Sequence, residues 1–126
     1  MDLEIIKIAS NTENNKILKN HTHYSKMKNS ICGDEMQISI VIKDNKITDF
    51  GYQCKSCIYC QAAVSLLSRK SINKPIKKIK EVISTAISFF EKKNSSFQKE
   101  WIEFNKLFDK KNISRKECLM LPFKTL

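Results

Sequence analysis

The amino-acid sequence predicts an α+β fold, in which a small antiparallel sheet comes first and helices then pack on one face of it. Three observations support this prediction: strict alternation of apolar residues in one early segment, a turn signal directly after it, and helical spacing of apolar residues in the second half. The 126 residues suit one compact domain and leave no room for two ordinary ones. We therefore expect residues 1–126 to form a single domain.

The sheet is predicted from the first half of the chain. From Glu35 to Ile42 every second residue is apolar, at positions 36, 38, 40 and 42, which is typical of a half-buried strand. The pair Asp44-Asn45 is a turn signal, so Ile47 to Tyr52 is predicted as the returning strand of an antiparallel hairpin. Residues 3–29 are polar and have no clear period. There we expect a short helix or turn, followed by an irregular arm.

Helical spacing begins after the hairpin. The first apolar stripe runs from Ala62 to Leu67, and the second begins near Pro75, a favoured first helical residue. Proline fits only the first turn of a helix, so Pro122 predicts a last helix that begins no earlier than about Cys118. Between them, a capping-box signature at Ser95 precedes an aromatic stripe. We interpret as core the aromatic residues Phe97, Trp101, Phe104 and Phe108.

Charge and composition limit the classes of function. The net charge is +10, but only Arg69 and Arg115 among the 23 basic residues are arginines, and this argues against a nucleic-acid partner. No apolar run approaches the roughly 18 to 20 residues that a membrane-spanning helix needs. The segment Met1–Ser10 carries acids and shows no secretory signal. We expect a cytoplasmic protein whose cysteines are thiols, metal ligands or redox groups.

The chemistry is concentrated in five cysteines: Cys32, Cys54, Cys57, Cys60 and Cys118. Three of them are spaced by three residues, at 54, 57 and 60, like the start of an iron–sulfur run. The ferredoxin version needs a fourth cysteine followed by proline, whereas Gln61-Ala62 follows here. The triplet by itself is therefore weak evidence for a cluster, because a free cysteine often serves only as a small buried apolar residue.

A second grouping takes the cysteines in their local contexts. The sequence C-G-D at 32–34 lies directly before the first predicted strand, Cys57 lies between the hairpin and a helix, and Cys118 lies near the start of the last helix. These contexts together resemble the U-type iron–sulfur scaffold family, which comprises the NifU amino-terminal domain, IscU and SufU. Residues 47–67 align with that family without a gap, and Cys57 falls on its second cysteine.

Further details resemble the SufU-like branch of the family. An extra helical segment precedes Cys118, Arg115 stands three residues ahead of it, and the chaperone-recognition motif of the IscU branch is absent. The chain departs from the family at Ser56, where glycine is usual, and we expect the family's long terminal helix to be nearly absent before Leu126. Cys54 and Cys60 are additions to the family pattern.

The resemblance implies a scaffold or sulfur acceptor for iron–sulfur cluster assembly. Such a protein receives sulfur as a persulfide from a cysteine desulfurase and passes it on to downstream assembly or acceptor proteins. It carries zinc or a transient [2Fe-2S] or [4Fe-4S] cluster. It is not expected to be an enzyme, and at most it is a sulfurtransferase-type relay.

The resemblance also implies a set of site residues. Its ligands are three thiolates and one carboxylate, a tetrahedral set that suits Zn²⁺ or a cluster: Cys32, Asp34, Cys57 and Cys118. Cys32 or Cys118 would accept the persulfide, because this step needs an exposed, ionised thiol. Arg115 would lie just outside the ligands, where it would offset their excess negative charge. Cys54 and Cys60 are auxiliary candidates.

Two alternatives stay open on the sequence alone. One is a small electron-transfer protein with a cluster on Cys54, Cys57, Cys60 and a fourth cysteine. The other is a structural zinc module that binds an acidic partner through its lysines. His21 and His23 lie away from the cysteine contexts, and we assign them to the surface or to a minor structural role.

Overall fold

A computed structural model describes residues 3–28, 33–92, 99–108 and 116–126 of the chain. The elements in chain order are α1 (Leu3–Ala9), β1 (His23–Lys28), β2 (Glu35–Lys43), β3 (Lys46–Lys55), α2 (Ile58–Ser71), α3 (Ile76–Lys92), a 3₁₀ helix (Lys99–Lys106) and α4 (Lys116–Thr125). The sheet is antiparallel with the strand order β1-β2-β3, and the helices cover one of its faces. The predicted α+β class is therefore confirmed.

The predicted hairpin is formed by β2 and β3. Asp44 and Asn45 connect the strands with φ angles of 54° and 62°, the left-handed pair that a tight two-residue hairpin turn requires. The register pairs Glu35 with Lys55, so the start of β2 lies against the end of β3. Because β3 is followed almost directly by α2, this pairing brings the residues before β2 to the beginning of α2.

The strand β1 was not predicted, and the expectation of an irregular arm is wrong for His23–Lys28. Its side chains are mostly exposed, so no apolar alternation marks it in the sequence. The strand is held by pairing with β2, from His23 opposite Ile40 to Lys28 opposite Glu35. His21 and His23 are both exposed, as expected, and the His21 ring lies 5.6 Å from that of Tyr24.

The core lies between the sheet and the helices. Apolar side chains of β2 and β3 point to the helical layer, where α2 is buried along most of its length. The largest fully buried side chains come from both the sheet and the helical layer: Trp101, Phe50, Phe104, Phe123, Ile5 and Met36. The helix α2 begins at Ile58, earlier than the apolar stripe predicted, because its first turn is also packed.

The aromatic stripe is part of the core, as predicted. Trp101, Phe104 and Phe108 are each at most 2% exposed, and the rings of Phe104 and Phe123 are 5.5 Å apart in an edge-on contact. The backbone there forms a 3₁₀ helix. Phe97 and the predicted cap at Ser95 lie outside the described residues.

The segment after α1 crosses the sheet. The Tyr52 amide donates to the Asn14 carbonyl over 3.0 Å, and the Leu18 amide donates to the Ser39 hydroxyl over 3.1 Å. On the way the segment passes Gly51 so closely that a Cβ there would lie 2.5 Å from the carbonyl oxygen of Lys16. A side chain at position 51 is thus excluded, and the segment covers part of the sheet face opposite the helices.

Candidate functional site

The candidate site is built where β3 ends and α2 begins. Cys57 is the N-cap residue of α2. Its backbone is extended, with a φ of −72° and a ψ of 168°, and its side chain is partly exposed. The Cys57 backbone carbonyl accepts the first helical hydrogen bond from the Gln61 amide, over 3.0 Å. The unpaired amides at the start of a helix favour an anionic group or ligand. The thiol of Cys57 therefore lies at the end of α2 that favours a negatively charged group.

Asp34 approaches this position from the other strand. Gly33 has a φ of +76°, a conformation that glycine adopts without strain and that turns the chain into β2. The Oδ2 atom of Asp34 is buried and has no hydrogen-bond partner among the residues that the structure describes. A buried carboxylate oxygen without a partner is rare in native proteins, and a carboxylate oxygen in this position suits a cation.

The two additional cysteines flank the start of α2. Burial raises the pKa of the Cys54 thiol, and the nearby Asp34 carboxylate raises it further, while the Ser56 hydroxyl partly opposes both effects. Burial likewise raises the pKa of Cys60, which is 0% exposed. Both groups therefore keep their protons near neutral pH. This describes the metal-free protein, because a metal ion that binds a thiol displaces its proton.

Ser56 is a site residue that the sequence pattern marked only as a departure from the family. Its Oγ atom is buried beside the sulfurs of Cys54 and Cys60 and makes no hydrogen bond of ordinary geometry within the described part of the chain. Glycine would leave this space without a polar atom. The serine therefore adds a hydroxyl to the cysteine cluster.

The predicted ligand set is only partly within the described residues. Asp34 and Cys57 are described, whereas Cys32 and Arg115 lie outside the described ranges, and so does the side chain of Cys118. Across the described ranges, no three His, Cys, Asp or Glu side chains are arranged to hold one metal ion. Cys54, Cys57 and Cys60 therefore do not form a ligand set by themselves.

The last helix begins earlier than Pro122 predicted. The helix α4 starts at Lys116, so Cys118 is its third residue and Pro122 lies inside it. Leu119 and Leu121 are buried, and α4 packs on α2 and β2. This packing compensates for the hydrogen bond that the proline cannot make. Cys118 still belongs to the first helical turn.

A polar groove of about 420 Å³ opens on the sheet face away from the helices, next to Cys54. Its lining consists of Asn15, Lys26, Glu35, Gln37, Gln53, Cys54 and Lys55. The sequence did not predict the groove, because one of its walls belongs to the unpredicted strand β1. Among the described helices, none is long and apolar enough to cross a membrane.

Comparison with known proteins identifies related sequences. The family described as NifU-like N terminal domain matches residues 3–103. An iron–sulfur cluster assembly scaffold protein IscU of Thermotoga maritima is 27% identical over 100 residues, covering 79% of this chain and 70% of the relative. A Borreliella burgdorferi protein named only as uncharacterized is 28% identical over 126 residues, covering 98% of this chain and 84% of its own length.

Solved structures share the fold. A NifU-like protein of Brucella abortus superposes with a TM-score of 0.90 at 18% identity, over 98% of this chain and 87% of that one. A putative scaffold protein for the SUF system from Fervidobacterium islandicum superposes with a TM-score of 0.88 at 22% identity, over 99% and 92% of the two chains. At these identities the likeness establishes the arrangement of helices and strands.

Proposed function

The chain belongs to the family of NifU-like N-terminal domains, the family of the IscU and SufU scaffolds, and we propose that it assembles iron–sulfur clusters as a scaffold of the SufU-like branch. A cysteine desulfurase delivers sulfur to it as a persulfide. The nascent cluster is cargo, which passes on to downstream assembly or acceptor proteins. The observation that carries the proposal is the buried Oδ2 of Asp34, which has no hydrogen-bond partner within the described ranges and lies near the start of α2, which Cys57 caps.

The donor set of this proposal suits a soft metal centre. Cys57 supplies one sulfur, and Cys32 and Cys118 supply the other two. Asp34 supplies the oxygen that lacks a partner among the described residues. A carboxylate is a hard ligand beside soft sulfurs, so it is the natural point of exchange when the cluster leaves. The same four ligands satisfy Zn²⁺, which we propose as the alternative occupant.

Sulfur transfer places further demands on the cysteines. The incoming persulfide must be attacked by an accessible thiolate, and we propose Cys32 or Cys118 for this role. Cys60 is excluded as the first acceptor because it is 0% exposed. Arg115, three residues before Cys118, compensates part of the negative charge that three thiolates and a carboxylate bring together.

Five single Cys→Ser variants test the ligand set. Metal content and chelator competition are measured for each purified variant. Loss of one ligand should weaken the free energy of metal binding by several kcal/mol, out of the roughly 10 to 16 kcal/mol of a full zinc site. The proposal requires large losses at positions 32, 57 and 118 and small losses at 54 and 60. Large losses at 54, 57 and 60 with no effect at 32 would instead establish an electron-transfer cluster on the triplet.

A second measurement separates the scaffold from a structural zinc module. The protein is added to a cysteine desulfurase, and sulfur release from cysteine is followed. A sulfur acceptor accelerates the desulfurase, whereas a structural zinc module leaves its rate unchanged. Stimulation should disappear in the variant that lacks the accepting thiol and persist in Cys54→Ser. No stimulation by the wild-type protein would refute the sulfur-accepting role.

A further inference from the structure

Cys57 and Cys60 form a pair on the first turn of α2. Cys57 is the N-cap residue, and Cys60 is the third helical residue after it. On an α-helix the Cα atoms of residues three apart lie about 5 Å from each other, because the helix rises about 1.5 Å per residue on a cylinder of about 2.3 Å radius. A disulfide needs Cα atoms roughly 4.4 to 6.8 Å apart, so the helical spacing of Cys57 and Cys60 falls within the range of a disulfide.

The two thiols differ in their access to solvent. Cys57 is partly exposed, whereas Cys60 is 0% exposed and packed in the core. A sulfur donor can therefore reach Cys57 but not Cys60. The Sγ atom of Cys60 can react only with a group that is already attached to its neighbour in the protein, such as a sulfur atom on Cys57.

Polar groups adjoin the buried sulfur of Cys60. The Ser56 hydroxyl lies against this sulfur, and the charge of the Asp34 carboxylate acts on it. A cysteine that served only as core packing would be expected among apolar atoms alone. Instead it stands at the boundary between the core and the candidate site.

We propose that Cys60 reduces a persulfide carried by Cys57 and so releases sulfide inside the scaffold. This inference rests on the proposed sulfur-accepting function and adds a chemical step to it. The incoming sulfur is sulfane sulfur, in the oxidation state of the element, whereas an iron–sulfur cluster contains sulfide. Two electrons are therefore needed for each sulfur atom. The thiols of Cys57 and Cys60 supply these two electrons for one sulfur atom, and then they must be reduced again.

The reaction balances within the chain. A persulfide donor, directly or through Cys32 or Cys118, transfers its terminal sulfur to the Cys57 thiolate and leaves as a thiolate. The Cys60 sulfur then attacks the Sγ atom of Cys57, and the Cys60 proton passes to the terminal sulfur of the persulfide anion. The bond from that Sγ to the terminal sulfur breaks, and hydrosulfide leaves with the electron pair. The two thiols are oxidised to a disulfide, and one sulfane sulfur is reduced to sulfide.

The disulfide must be reopened before the next cycle and before Cys57 can bind a cluster. A dithiol reductant can perform this step at the exposed Cys57 sulfur, by ordinary thiol–disulfide exchange. Cys54 offers a matched comparison. It is also three residues from Cys57, but it lies on the strand side and outside the helix.

The experiment uses the reduced, metal-free full-length protein and glutathione persulfide as the donor, without another reductant. Released sulfide is measured, and the chain is then alkylated and digested with trypsin. Cleavage after Lys55 and Arg69 yields residues 56–69, which contain Cys57 and Cys60 but not Cys54. In wild type and Cys54→Ser, we expect about one sulfide per chain. We also expect an unalkylated peptide 56–69 whose mass is two hydrogens below that of the fully reduced peptide.

Cys60→Ser and Cys60→Ala should retain the sulfane sulfur on Cys57 and release sulfide only at the level of a protein-free control. Two variants are used because Cys60 is buried, and each is first checked for a native circular dichroism spectrum. Sulfide release by both at the wild-type rate would overturn the inference while leaving the scaffold function intact. If neither wild type nor variants accept sulfane sulfur, the proposed function fails together with it.

Discussion

Asn14 and Ser68 are 54 residues apart in the sequence and share a buried hydrogen bond, in which the Asn14 amide nitrogen donates to the Ser68 hydroxyl over 3.0 Å. The Ser65 hydroxyl adds a second link by donating to the Asn11 carbonyl over 2.6 Å. Both serines lie on α2, the helix that Cys57 caps. The segment after α1 therefore fixes the helix that carries two of the cysteines.

Replacement of Asn14 by alanine should lower the free energy of unfolding by about 1 to 3 kcal/mol, because the Ser68 hydroxyl loses a buried partner. Asn15→Ala is the control, since that side chain is exposed, and its effect should stay within about 0.5 kcal/mol. Urea unfolding of both variants measures the difference. Equal stabilities of the two variants would show that the buried hydrogen bond does not hold the segment.

Gly51→Ala should destabilise the protein by about 1 to 3 kcal/mol, because the new Cβ would meet a backbone carbonyl and not a flexible side chain. The clash is with Lys16, whose oxygen would lie 2.5 Å away. We expect faster amide hydrogen exchange at residues 14–18, where the segment must lift from β3. Gln53→Ala, an exposed position on the same strand, should leave that exchange unchanged. Unaltered exchange in Gly51→Ala would contradict the close packing.

Asp34→Ala should preserve the fold, since Asp34 Oδ2 makes no hydrogen bond to any described residue. If Asp34 is the exchangeable oxygen ligand, a reconstituted cluster should persist longer in air and transfer more slowly to an apo-acceptor. Glu35→Ala removes the same charge from the next residue and should transfer as fast as wild type. Indistinguishable transfer kinetics of Asp34→Ala and wild type would remove Asp34 from the site.

The stability of the metal-free protein should fall at alkaline pH. Burial raises the pKa of the Cys60 thiol above its ordinary value of 9.0, so above that pH the unfolded chain loses a proton that the folded chain keeps. The stabilisation is complete below pH 9 and declines above it, by at most about 1.4 kcal/mol per pH unit for one such thiol. Cys60→Ala should show a shallower decline in urea unfolding between pH 8 and 10. If the unfolding free energy fell equally steeply with pH in both proteins, Cys60 would not be the group responsible for the decline.

Local signals in the sequence determined the hairpin, its Asp44-Asn45 turn and the position of Cys57 at the start of a helix. These features depend on residues close together in the chain, whose spacing records which face is buried. The burial of Trp101 and Phe104 was also predictable, because large aromatic residues at helical spacing rarely have another place than the core.

Tertiary structure decided the rest. The strand β1 carries no apolar alternation and exists through its pairing with β2. The helix α4 begins two residues before Cys118 and includes Pro122, because its packing on α2 and β2 outweighs the local cost of a proline. The proximity of Asp34 to Cys54 and Cys60 follows from the register that sets Glu35 opposite Lys55. Which residues lie opposite each other across a sheet depends on long-range pairing, and the spacing of cysteines along the chain does not contain that information.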